Sequence, residues 1–123
     1  MKPLIQNSFV SVSSVHRWGG FAGKDIRKGG VIEECPYIES EAEDKHPEAI
    51  LSYLFAGQKA GTTMFILGYG AIYNHSSKSN AEYSFDPDKK IVVFTAKRNI
   101  KKGEEIFVDY GREYWSSRKK NPK

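Results

Sequence analysis

Apolar positions fall in short runs of at most four residues broken by glycine, proline and polar turns, a pattern that predicts strands rather than long amphipathic helices. Phe9, Val10, Val12 and Val15 form a β-rich stretch that runs into Trp18-Gly19-Gly20-Phe21-Ala22, and Lys28 to Ser40 reads as a turn followed by two short strands. Thr63 to Leu67 reads as a buried strand. Glu82 to Ala96 reads as a hairpin turning at Asp86-Pro87-Asp88, and Glu104 to Gly111 as the closing strand. One helix of about ten residues is predicted after Pro47, which a first helical turn tolerates. Ala49, Ile50, Tyr53 and Leu54 share its face, and Gly57 stops it. No internal repeat, coiled coil or low-complexity segment stands out, and disorder is expected only from about Arg118.

With 39% apolar and 13% aromatic residues, 123 residues suffice for one domain with one core. The single cysteine, Cys35, excludes an internal disulfide, and no secretory leader or long apolar span is evident, so the expected protein is soluble and intracellular. The net charge of +4 conceals an asymmetry. Residues 33 to 48 hold seven of the fifteen acids (Glu33, Glu34, Glu39, Glu41, Glu43, Asp44 and Glu48) against Lys45, leaving eighteen bases against eight acids elsewhere. Both runs read as solvated faces, or as a surface for a basic peptide and one for nucleic acid or chromatin that includes Arg118, Lys119, Lys120 and Lys123. Charge by itself leaves both readings open.

The stretch from Gly70 to Ala81 places Asn74, His75 and Ser76 directly after an apolar run. A glycosylation acceptor needs a secreted route for which the chain gives no sign. One cysteine and the scattered histidines His16, His46 and His75 argue against a zinc site, so no metal is expected. A loop holding a small polar ligand against the core remains. No glycine-rich loop opens a helix after a strand, which argues against a dinucleotide or phosphate-loop fold. Cys35 lies in an acidic run that disfavours a thiolate, and adjacent His75 and Ser76 are not placed as a base and its nucleophile.

Taken together and in order, Trp18 to Ala22, the Gly70 to Ala81 loop and Gly103 to Gly111 resemble the SET-domain lysine methyltransferases, over roughly residues 8 to 116. The family pattern is an early Gly-x-Gly strand, an N-H-S-x-x-P-N loop and a final G-E-E-[LI]-x-x-x-Y-G strand. Tyr53 to Phe55, Leu67 to Ser76 and Tyr110 to Trp115 are similar to the minimal single-domain members of viruses and bacteria. The chain departs from the pattern at Arg17, where the first glycine stands, and at Ser79, where the loop has proline.

The resemblance implies a mostly β, β-clip-like fold of short sheets with one short helix, in which the C-terminal segment threads under a loop as a pseudoknot. It implies S-adenosyl-L-methionine on one face and a lysine channel entering from the other. Arg17, Trp18, Gly19, Tyr53, Asn74, His75 and Trp115 are then cofactor residues, Tyr110 the catalytic tyrosine, and Tyr53, Tyr69, Tyr73, Tyr83, Val108 and Tyr114 the channel. Tyr53, Tyr69, Tyr73 and Tyr83 each read equally as core. Trp115 and Tyr114 are expected to close the site where larger relatives use a zinc-binding, cysteine-rich segment. Val108, two residues before Tyr110, leaves room for more than one methyl.

The chemistry has its own logic, because methyl transfer to an amine needs a neutral nucleophile held in line. A free lysine has a pKa near 10.4. A sulfonium about 4 Å away at an effective dielectric near 20 disfavours the ammonium by about 4 kcal/mol, roughly three pKa units. A strong base is therefore unnecessary, and a tyrosine hydroxyl that orients the amine completes the site. The expected function is lysine methylation of a basic, histone-like peptide, with residues 37 to 56 forming part of its groove, no membrane partner, and a homodimer suggested by likeness to minimal relatives. The alternatives are a catalytically silent SET-like module that holds chromatin or nucleic acid through the basic tail, and a free-standing nucleic-acid binder.

Overall fold

The computed structural model describes residues 3–15, 17–40, 55–56 and 63–109. Alternating apolar residues place nine strands there: β1 Ser8–Val12, β2 Trp18–Ala22, β3 Val31–Ser40, β4 Phe55–Ala56, β5 Thr63–Ile66, β6 Asn74–His75, β7 Ala81–Asp86, β8 Ile91–Ala96 and β9 Glu105–Val108. Among the described residues a single 3-10 turn covers Tyr69–Ala71. One sheet has the order β1-β2-β9-β6 and the other β4-β5-β3-β8-β7. Pairing is antiparallel except between β6 and β9. Both sheets contribute to one core, with Ala22, Ile106 and Val108 from the first and Ile32, Cys35, Met64, Val92 and Phe94 from the second. No helix among the described residues is long and apolar enough to cross a membrane.

The predicted hairpin is present as β7 and β8, in register from Ala81↔Ala96 to Asp86↔Ile91. Lys28 to Ser40 differs from the expected pair of strands, because β3 runs ten residues without a break. A register shift between Val31 and Glu33 absorbs one extra residue opposite β8. Such a bulge bends a strand while keeping its pairing. It also turns Ile32 and Glu33, at 0% and 1% exposure, both inward. Glu33 is thus removed from the acidic surface to which its sequence neighbours assigned it. Phe55–Ala56, expected at the end of a helix, pairs instead with Met64 and Thr63 along the outer edge of β5, satisfying that edge's backbone groups. The rest of the predicted helix, most of the acidic run and the basic tail lie outside the described residues.

The twofold correspondence between residues 22–32 and 96–106 corrects the expectation of no internal repeat. Ala22/Ala96, Ile26/Ile100, Lys28/Lys102, Gly29/Gly103 and Ile32/Ile106 are identical pairs. Ile26 and Ile100 exchange backbone hydrogen bonds of 2.8 Å in both directions. The Lys28 amide donates to Asn99 Oδ1 at 2.8 Å and the Lys102 amide to Asp25 Oδ1 at 2.9 Å. Gly29 donates to the Ala96 carbonyl and Gly103 to that of Ala22, both at 2.8 Å. Each turn needs a residue with positive φ at its third position, supplied by Gly29 at 85° and Gly103 at 86°. The likeness lies chiefly in backbone bonding, so five identities spread over eleven residues do not reveal it as a repeat.

Candidate functional site

Tyr73 explains why a polar loop follows an apolar run. Its ring is fully buried, meets Phe94 edge-on at 5.1 Å between centroids, and lies where a Cβ on Gly20 would stand 2.2 Å from Cε1. The bare backbone at Gly20 therefore admits the ring. The Tyr73 hydroxyl donates to Glu33 Oε1 at 2.5 Å and accepts from Ser8 Oγ at 2.6 Å, while the Tyr69 amide donates to Glu33 Oε2 at 2.9 Å. Burial, and then the Glu33 carboxylate, push the Tyr73 hydroxyl pKa far above the ordinary tyrosine value, so the phenol stays protonated. The same two causes raise the Cys35 thiol, which is buried and unsuited to nucleophilic work. Glu33 thus anchors the start of the loop from below.

Immediately after that anchor, β6 lies parallel to β9, pairing Asn74 with Phe107 and His75 with Val108. Asn74 is 6% exposed. Its Nδ2 donates to Glu105 Oε2 at 2.8 Å and to the Trp18 carbonyl at 3.2 Å, with Ser13 Oγ at 3.3 Å. Three acceptors around Nδ2 fix the amide's orientation and leave Oδ1 as an acceptor with no hydrogen bond among the described residues. Ser13 Oγ donates to the Glu105 carboxylate at 2.8 and 2.9 Å. A Cβ on Gly19 would stand 2.4 Å from Glu105 Oε2, so this glycine gives the carboxylate room. The β1–β2 connection, the Asn-His loop and the closing strand therefore meet at one carboxylate.

Asn80 holds the other side of the loop. Its Nδ2 donates to the Glu105 carbonyl and its Oδ1 accepts from the Phe107 amide, both at 2.8 Å, so one side chain pairs with β9 as a further strand would. Ser13, Glu33, Asn80 and Glu105 carry this architecture, and the sequence marks none of them as a site residue, Glu33 standing out only as one acid of a run. The available signal was two asparagines six residues apart between strands, together with a second glutamate in Gly103-Glu104-Glu105.

Asp109, just after β9, lies near His75, expected at the cofactor, and influences Tyr83, expected in the channel. His75 Nδ1 is 3.7 Å from Asp109 Oδ1, with the imidazole only 6% exposed. Burial lowers the His75 pKa below its ordinary value while Asp109 pulls it back. Burial and then Asp109 also raise the pKa of Tyr83, whose ring meets Phe94 at 5.9 Å and Phe85 at 6.0 Å. Val108 is fully buried and Tyr69 is 41% exposed. Arg17 and Trp18 are exposed where β2 begins, Trp18 by 52%, beside the Trp18 carbonyl that Asn74 engages. Tyr53, Tyr110, Tyr114 and Trp115 lie outside the described residues. Among the described residues, no three His, Cys, Asp or Glu side chains come together as metal ligands.

A family model for the SET domain matches residues 17–111. The structure is similar to that of a Plasmodium falciparum protein described as a candidate histone methyltransferase, with 29% identity, a TM-score of 0.75, and coverage of 90% of this chain and 98% of that one. It is also similar to part of a humanized mutant of the Chaetomium thermophilum Polycomb Repressive Complex 2 bound to an inhibitor. There the identity is 22%, the TM-score 0.68, and coverage 86% of this chain but 15% of that one, a likeness of fold alone. No curated protein matches the sequence.

Proposed function

The chain belongs to the SET-domain family, and on that footing we propose that it is an S-adenosylmethionine-dependent protein-lysine N-methyltransferase acting on a histone tail or similar basic peptide. The observation that carries this reading is the parallel pairing of Asn74–His75 with Phe107–Val108, next to the Trp18–Ala22 strand. Three motifs far apart in sequence meet at Asn74, whose amide donates to the Trp18 carbonyl and to Glu105.

The residues present fit the cofactor. Asn74 Oδ1 is a buried acceptor without a hydrogen-bond donor among the described residues, and an unsatisfied buried polar atom is costly unless a ligand completes it. It suits the ammonium of an amino-acid end, and the exposed Arg17 guanidinium suits the carboxylate. Trp18 offers an exposed aromatic face beside them. S-adenosylmethionine supplies, when bound, a methyl group on a sulfonium. The protein's task is then positioning: Tyr110 orients the lysine amine through its hydroxyl, Tyr83 and Val108 shape the apolar wall, and the protonated Tyr83 phenol adds no charge near the amine. Acids of the run from Glu34 onward attract a basic peptide and favour encounter more than affinity.

Replacing Tyr110 with Phe tests the assignment. The expected result is loss of methyl transfer to a histone panel, with cofactor binding by calorimetry retained. Unchanged turnover would overturn it.

A further inference from the structure

The twinned turns gather charge at one end of the first sheet. Lys24 and Arg98 occupy equivalent positions, as do Arg27 and Lys101, and Lys28 and Lys102, so a base stands at all three places in both halves. Lys97 adds a seventh, and all seven are exposed. Two acids lie among them, and both also cap backbone. Asp25 accepts from the Lys102 amide, while Glu104 accepts from the Lys101 amide and pairs with Arg98 at 3.2 Å. Lys24, Arg27, Lys28, Lys101 and Lys102 form no ion pair among the described residues. The reciprocal Ile26–Ile100 bonds hold the two turns in one fixed arrangement, so the charges are displayed rather than scattered.

We propose that these twin turns form a docking surface for the phosphate backbone of duplex DNA. Lysine and arginine clusters neutralise phosphates and release counterions, which provides affinity independent of sequence. Neither turn carries an aromatic residue on which a single-stranded base would stack. The local twofold matches a duplex, whose backbone also has local dyads, and has no counterpart in an acidic polypeptide. The choice of DNA over RNA rests on the histone-type substrate proposed above, which is presented beside duplex DNA. β2 and β9 each run from this surface to the Asn74–His75 site. Four residues of strand, about 13 Å, separate the two, so a protein docked on DNA keeps its site free for a protruding tail.

The test uses the full chain and a fluorescein-labelled 30-base-pair DNA duplex, followed by anisotropy from 50 to 200 mM salt. The expected result is affinity falling linearly in log-log form. The combined change Arg27→Ala, Lys101→Ala and Lys102→Ala should weaken binding about tenfold or more at 50 mM and reduce the slope by about 2. Arg118→Ala, Lys119→Ala and Lys120→Ala together should cost less. The milder pair Lys28→Gln and Lys102→Gln serves if the first variant folds poorly, with the same direction expected. Parent-like DNA binding by the turn variants, loss confined to the tail variant, or equal affinity for polyglutamate or an RNA duplex overturns the proposal. Binding is read without catalysis: methylation with no DNA binding overturns this inference alone, and DNA binding with no methylation overturns only the enzymatic reading.

Discussion

The side-chain amide of Asn74 donates to Glu105 Oε2 at 2.8 Å across 31 residues of sequence. That bond, with the Ser13 hydroxyl on the same carboxylate, determines which way the Asn74 amide faces and leaves its oxygen without a hydrogen bond among the described residues. Glu105→Ala should therefore release Asn74 and cost about 1–3 kcal/mol of stability by leaving buried donors unsatisfied. Calorimetry should show S-adenosylmethionine binding weakened about tenfold. Glu105→Gln, which keeps one acceptor oxygen, should recover part of the affinity, and no recovery would contradict the orienting role.

Gly20 is expected to be intolerant of even one methyl. A Cβ there would stand 2.2 Å from the Tyr73 ring, which is fully buried and tied by its hydroxyl to Glu33 and Ser8. Gly20→Ala should destabilise by about 1–3 kcal/mol through overpacking, as measured by urea denaturation. A change within about 0.5 kcal/mol would mean that Tyr73 moves more freely than its contacts indicate.

Glu33 should behave unlike the other acids of its run. Its carboxylate accepts from the Tyr73 hydroxyl and the Tyr69 amide with 1% of the residue exposed. Glu33→Gln puts a donor where a donor already points and should cost about 2 kcal/mol. Glu82→Gln on the exposed face of β7 should change stability by less than about 0.5 kcal/mol. Paired thermal melts distinguish the two.

Stability should fall on the acid side of neutrality through His75. Its folded pKa lies below the ordinary 6.5 because burial outweighs the opposing Asp109. Between the folded and unfolded pKa values the unfolded chain binds more protons, so stability rises with pH across that window. The contribution is complete above about pH 6.5 and is lost as pH drops below it towards the folded pKa. In His75→Asn this part of the pH profile should flatten, as read from denaturation midpoints at pH 5 to 7.5; an unaltered profile would exclude His75 as its source.

The sequence by itself determined what local chemistry controls. Alternating apolar residues located β1, β2, β5, β7, β8 and β9, because side-chain period and turn residues act within a few positions. The ordered motifs around Asn74, His75 and Val108 were legible as well, and the structure pairs them. Tertiary structure decided everything that depends on a partner distant in the chain. Glu33 read as a solvated acid until a bulge in β3 turned it inward beneath Tyr73. Glu105 and Asn80 read as ordinary polar residues until the parallel β6–β9 contact gave their side chains internal partners. The twin basic turns became one surface only through the exchanged Ile26–Ile100 bonds. Burial and pairing are properties of two segments at once, so the pattern along either one carries only half of the information.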